Sequence, residues 1–426
     1  MFETIKNAWK IGDLKKKLLV TVGLLLIYRL GSHLPVPGLI AEAFEAMTQG
    51  NQLFGFMDTF SGGAFSRASL FAMNITPYIN ASIIMNLLTV AIPALERMQK
   101  EGTEGRKKIQ QIVRYLAVAL GFFQAAMLYI SLANNNAIYD GGSIISFFII
   151  TLSFTAGTAF IMWLGENITE YGIGNGISLI IFAGILARAP QGVAQIWTYY
   201  QGGFFGTGIL AILAMAAIFA VFVVSIVGVI YVTQAERKVP VQYAKRVVGR
   251  KMYGGQSTHL PMKVNMAGVI PIIFATSITT LPSIIIGLAA PNTTNTFLLA
   301  LQKQGGVAHM TIMAILIIFF AFFYTIIQFN PVEVANNMKK NGGFIPGIRP
   351  GKPTADYIAK VLNRITWFGG FFLAAVAVFP QILGAVFNIN IWFGGTALLI
   401  VVGVALDTVK QIESQMLMRH YKGFLD

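Results

Sequence analysis

The chain contains no cysteine, which removes disulfide frameworks, thiolate nucleophiles and cysteine metal sites together. Charge is scarce as well. Only 11% of the 426 residues are Asp, Glu, Lys or Arg and 55% are apolar, whereas a soluble domain carries about 25% charged residues, so the membrane is the solvent. Acids are the rarer sign: 17 Asp and Glu stand against 31 Lys and Arg, a net charge of +14. Such an excess points to the phosphates of lipid or RNA, or to acidic protein partners.

Catalytic motifs are missing too. There is no HExxH and no GxxxxGK[ST] phosphate loop; Gly347 to Pro353, GIRPGKP, has only a superficial likeness to one. The histidines His33, His259, His309 and His420 are far apart and are expected in loops or tails, so no metal cluster or cofactor is expected. Ionisable groups held at mid-membrane, as a proton- or ion-driven transporter keeps them, are nearly absent from the apolar runs. Arg29 and Asp407 fall near expected helix ends, within snorkelling reach. The GxGxG of Gly172 to Gly176 has no strand before it and reads as a turn. The chain is therefore not expected to be an enzyme.

Long apolar runs are what the sequence does have. A helix crossing a hydrocarbon core of roughly 30 Å needs about 20 mostly apolar residues. Nine runs fit: Leu18 to Leu34, Ala68 to Ile92, Ile112 to Leu132, Ile144 to Leu164, Ile209 to Val232, Val264 to Leu288, Ala308 to Phe329, Ile365 to Leu383 and Ile389 to Val409. A tenth, Ile177 to Ala189, is shorter; it is included because without it the basic loops flanking it fall on opposite faces. Ten spans put both termini on one side. All Lys and Arg except Arg29, Arg67, Arg188 and Lys303 then share that side, which the positive-inside rule makes cytoplasmic.

The expected fold is all-α, with ten transmembrane helices in two inverted, pseudo-symmetric halves of five and a short re-entrant helix. Residues 1–190 form the first half, 191–207 an external hinge and 208–426 the second half, since an odd number of spans per half inverts the repeat. Spans two and seven each carry an early proline near isoleucines (Ile75, Pro77, Ile79; Pro271, Ile273), and spans five and ten open after glycine-rich turns. Interrupted spans at matching positions point to a central pathway, although Gly and Pro are simply common in membrane helices. Two cytoplasmic loops, 234–263 and 330–364, are long and basic. The first is expected to project as a hairpin, and both fit either a docking role or plain orientation signals. On the other face, Phe54 to Ala68 (FGFMDTFSGGAFSRA) is too short to span and rich in Phe and Gly, the mark of a re-entrant or plugging element rather than a wet loop.

Several long motifs carry a resemblance: NITPYINASIIMNLL from Asn74, TEYGIGNGISLIIFAGI from Thr169, QSTHLPMKVNMAGVIPIIFA from Gln256, NGGFIPGIRPGKPT from Asn341 and FGGTALLIVV from Phe393. Over essentially its whole length the chain resembles the SecY family, the central subunits of protein-conducting channels. The resemblance implies a hydrophobic pore ring of Ile75, Ile79, Ile177, Ile181, Ile273 and Ile400. It implies a plug that includes Phe56, Asp58, Phe60, Ser61, Gly62, Gly63, Phe65 and Arg67. A lateral gate between spans two and seven would involve Asn74, Pro77, Ile83, Asn86, Asn265, Pro271 and Thr276, and docking residues would be Lys245, Arg246, Arg250, Lys251, Lys339, Lys340 and Arg349. The partners it implies are SecE-like and SecG-like small subunits, the motor SecA, the ribosome, signal peptides and nascent secretory chains, and membrane lipids. The implied location is the bacterial cytoplasmic membrane, and the implied work is to pass unfolded polypeptides across it and release membrane segments sideways. An inverted-repeat secondary transporter of small solutes is the alternative.

Overall fold

The computed structural model describes residues 2–50, 52–140, 142–203, 209–243, 246–248, 251–253, 257–289, 295, 299, 306–387 and 394–422. Sixteen helices occur among them: α1 Phe2–Lys10, α2 Gly12–Gly31, α3 Ala41–Gly50, α4 Gln52–Phe60, α5 Thr76–Ala91, α6 Pro93–Lys100, α7 Thr103–Asn134, α8 Ile144–Tyr171, α9 Gly176–Ala187, α10 Ala189–Gln201, α11 Ile209–Gln234, α12 Ile270–Ala289, α13 Val307–Gln328, α14 Pro331–Lys340, α15 Lys352–Phe387 and α16 Gly395–Lys422. Five short strands, β1 Glu236–Tyr243, β2 Arg246–Val248, β3 Lys251–Tyr253, β4 Ser257–Lys263 and β5 Gly343–Phe344, all lie in the two basic loops.

A helix lies within each of the ten expected spans, the start of the last of them (389–393) falling outside the described residues, but not all are long and apolar enough to cross alone. Among the described residues seven stretches are, and an eighth is if the bent pair α5–α6, broken by 100°, counts as one. The α2 helix misses because Lys15, Lys16, Lys17, Asp13 and Arg29 ride on it, and the 12-residue α9 reaches spanning length only when joined to α10. In lipid the backbone must satisfy its own hydrogen bonds, which is why such runs are helical. Hydroxyls in them bond back to their own helix, as Thr155 does to the Thr151 carbonyl at 2.7 Å and Thr158 to that of Phe154 at 3.1 Å.

Three expectations are corrected and one is refined. The second span does not begin at Ala68: residues 68–75 form turns, because Ala68 and Asn74 take positive φ (49° and 50°) and the helix starts only where Pro77 presets the first turn. The seventh span likewise starts at Ile270 rather than Val264, after the positive-φ Gly268. The stretch expected as a polar hinge continues as helix α10 to Gln201, its break from α9 marked by Pro190 in the first turn. His309 and His259 are not in loops or tails; they sit in the first turn of α13 and in β4, and His309 is buried.

Helices approach closely where glycine replaces a side chain. A Cβ on Gly176 of α9 would overlap the Gly165 carbonyl of α8, and one on Gly395 of α16 that of Val376 on α15. Gly176→Ala is therefore expected to destabilise the protein by about 1–3 kcal/mol, the range for overpacking. Gly23→Ala on α2, where a Cβ meets nothing within 4 Å, should not; thermal unfolding in detergent compares the two.

The basic loops build one platform. β1 and β4 pair antiparallel from Glu236↔Lys263 to Gln242↔Ser257, forming the expected hairpin, and β5 of the second loop adds to the other edge of β1. Val239 and Val241, alternating inward along β1, pack with Met262, with Met338 of α14 and with Ile345, Ile358 and Leu362. The second loop is thus mostly ordered structure, since α14 and the first turns of α15 fill it.

Candidate functional site

Four elements bring the six ring isoleucines to one place. Ile75 caps α5 and Ile79 lies one turn on; Ile177 and Ile181, four apart, share a face of α9. Ile273 comes from α12 and Ile400 from α16. Ile75, Ile181, Ile273 and Ile400 are buried in a single apolar cluster, with Ile79 and Ile177 packed against it. All six are β-branched and stiff at χ1.

The segment expected as a plug closes against this cluster. The α4 helix ends at Phe60, and Gly62 and Gly63 turn the chain with φ of +67° and +83°. Phe60 and Ala64 join the ring cluster, while Phe65 turns the other way and meets Phe44 edge-on at 5.2 Å. The turn sits tightly on α9: a Cβ on Gly184 would lie 2.5 Å from the Phe60 carbonyl oxygen. Burial, and after it the nearby Arg29 charge, lowers the Arg67 pKa from its ordinary value. The side chain of Phe56 lies outside the described residues.

Polar bonds fasten the segment. The Tyr28 hydroxyl donates to the Ser61 carbonyl at 3.4 Å, and Arg29 and Arg67 both donate to the Gly62 carbonyl, at 2.8 and 2.9 Å. Ser61 Oγ accepts from the Phe65 amide at 3.1 Å, and Asp58 Oδ1 from the Ser66 amide at 2.7 Å. Asp58 Oδ2 pairs with Arg188. Tyr28, Arg29, Gly184 and Arg188 were not among the expected site residues. Their one sequence signal is that Arg29, Arg67 and Arg188 are three of the four cations off the basic side. Arg29 does not snorkel: its guanidinium bonds inward to Gly62.

Of the expected gate residues, Pro77 opens α5, Pro271 is the second residue of α12, and Ile83 is buried in the apolar cluster that also holds Ile273 of α12. Asn86 Nδ2 donates to the Tyr324 hydroxyl of α13 at 3.0 Å, and that ring meets Phe274 of α12 edge-on at 5.1 Å. Asn265 and Thr276 bond only locally, to the carbonyls of Gly268 and Ile273. Asn74 donates to the Phe60 carbonyl, in the segment expected as a plug, at 2.7 Å.

On the platform, Lys339 and Lys340 are exposed in the last turn of α14, where cations suit the helix dipole. Arg349 is exposed on a turn between the positive-φ Gly347 and Gly351, and its carbonyl accepts from Thr354 Oγ1 at 2.8 Å. Arg246 and Lys251 lie on the paired strands β2 and β3; their side chains, and all of Lys245 and Arg250, lie outside the described residues.

Comparison with known proteins follows the same lines. The family model SecY matches residues 69–409. The protein translocase subunit SecY of Halalkalibacterium halodurans is 48% identical with all of both chains covered. That of Thermotoga maritima is 45% identical, covering all of this chain and 98% of its own. Among solved structures, one described as "The structure of a protein conducting channel" superimposes with a TM-score of 0.65 at 20% identity, covering 94% of this chain and 92% of that one. Sec61 in a canine ribosome-channel complex gives 0.60 at 19% identity, with the same coverage.

Proposed function

The chain belongs to the SecY family and is a multi-pass membrane protein of the protein-translocation channel, and on that premise we propose how its parts work. The six isoleucines form the waist of an hourglass pore, and the segment around Phe60 plugs it from the outer side. The observation that carries this reading is the single apolar cluster that contains all six isoleucines together with Phe60 and Ala64. A narrow apolar ring excludes water and ions by dewetting, and a moving chain displaces the plug. An apolar signal segment leaves between α5 and α12 into lipid, driven by roughly 25 cal/mol per Å² of apolar surface withdrawn from water.

The two halves, 1–190 and 208–426, act as inverted repeats joined through 191–207. The protein sits in a bacterial cytoplasmic membrane with both termini and the platform inside, as the clustering of Lys and Arg supports. The platform receives SecA or a ribosome, and SecE-like and SecG-like subunits complete the channel. The chain breaks no bonds itself; a partner or the membrane potential supplies the energy. No specific observation favours the solute-transporter alternative.

Three measurements test the reading. Gentle purification should recover a small SecE-like subunit, and proteoliposomes with SecA and ATP should import an unfolded precursor. Deleting Phe60 to Phe65 should leave import possible and raise ion conductance of the resting channel in planar bilayers; an unchanged resting conductance would make the segment an ordinary external loop.

A further inference from the structure

The side chain of Asp58 is only 3% exposed. A carboxylate that deep is strongly unfavourable unless paired, yet it sits on the segment that has to move. Its two oxygens are used differently. Oδ1 accepts from the Ser66 amide and closes the 58–66 loop on itself. Oδ2 reaches out of the segment to Arg188, at the break between α9 and α10, and Arg188 also donates to Ser66 Oγ at 3.3 Å. The plug is thereby tied to the same helix that carries Ile177 and Ile181.

The surroundings are cation-rich. Arg29 and Arg67 converge on the one Gly62 carbonyl oxygen, and a Cβ on Gly63 would lie 3.4 Å from Arg188 Nε. Three guanidiniums thus gather around Gly62 and Gly63, one of them paired with Asp58, and the Nε donors of Arg67 and Arg188 are buried with no acceptor. Such a cluster sets geometry more than it adds stability. A buried pair roughly breaks even against hydration of its separated charges, while loss of one partner leaves the other strongly disfavoured.

We propose that the Asp58–Arg188 pair is the latch that registers the plug in its closed position, and that it breaks without large net expense when the plug moves and both charges rehydrate. This rests on the reading of the segment as a plug. Removing the acid leaves three guanidiniums repelling one another around Gly62 and Gly63. Removing Arg188 leaves a carboxylate held by one backbone amide. Either change favours release, whereas removing both charges relieves both faults.

The test is a double-mutant cycle read as resting conductance in planar bilayers, at channel amounts matched by size-exclusion chromatography, beside the Phe60 to Phe65 deletion. Asp58→Asn and Arg188→Gln are each expected to raise conductance by about tenfold, the order expected from losing a charge-assisted bond. The double variant should return toward the parent, which a merely structural role for either residue does not predict. If Asp58→Asn fails to fold, Arg188→Gln against the double variant carries the same comparison. A conducting deletion with silent single variants, or a double variant equal to the product of the singles, overturns the latch and leaves the plug standing. A silent deletion overturns both.

Discussion

Replacing Ile79 or Ile273 with Asn is expected to unseal the resting channel and to allow export of proteins with defective signals. Ile273 is 9% exposed and Ile79 packs on the same cluster, so each Asn would place an amide where there is no polar partner. An unsatisfied buried polar group is disfavoured by about 1–3 kcal/mol, and admitting water is the simplest relief. Since about 1.4 kcal/mol is a tenfold change in an equilibrium, the open population should rise about tenfold or more. Both residues lie on the helices of the proposed gate, α5 and α12, so the same strain also loosens the contact a signal segment must part. Ile79→Val removes one methylene group without adding a dipole and should stay sealed, although it is destabilised by about 0.5–1.5 kcal/mol. Export of a precursor with a defective signal, scored in cells for the three variants and the parent, decides it. Equal rejection by all four removes Ile79 and Ile273 from the ring.

Arg349→Lys is expected to abolish most motor-driven export while the channel folds normally. The residue is exposed, and its backbone is held by the Thr354 hydroxyl between two glycines at φ of +83° and +104°. That turn presents the guanidinium from a fixed base on a platform with its own apolar core. A guanidinium offers a planar fork of donors to carboxylates and carbonyls, and an ammonium cannot copy it. The contrasting expectation is that Arg349 is one of many orientation charges, in which case Lys serves equally because topology depends on charge alone. SecA-dependent import into proteoliposomes, with Arg349→Lys set against Lys352→Arg at matched channel amounts, separates the two. Parental rates for both variants would falsify the docking role.

The spans were legible because lipid imposes a coarse rule: twenty apolar residues, with the cations on one side. The ends of the spans were not. Ala68 to Ile75 is apolar enough to continue a helix, and what stops it is backbone conformation at Ala68 and Asn74, the latter bonded to the Phe60 carbonyl. The ring was not legible from composition either. An isoleucine facing lipid and one facing its five counterparts look alike in a run of isoleucines, and only the resemblance to a family singled out these six. The hairpin of β1 and β4 announced itself by alternation, but the return of Gly343 and Phe344 to its edge did not, because two residues carry no period. Asp58 and Arg188 show the limit most plainly. Each reads alone as an ordinary charge at a membrane surface, and only the fold brings them into contact.

The shortness of α9 bears on how a membrane voltage acts. Twelve residues rise about 18 Å, against a hydrocarbon core of roughly 30 Å, and that helix supplies two of the six side chains of the proposed waist. If the proposed pore holds water-filled funnels above and below its waist, the electric potential falls across that waist and not across the whole bilayer. Each elementary charge moved through 100 mV exchanges about 2.3 kcal/mol with the field. A polypeptide in transit advances about 3.3 Å per residue, so this work arrives over a few residues, as discrete kicks each time a Lys, Arg, Asp or Glu of the cargo passes the isoleucines.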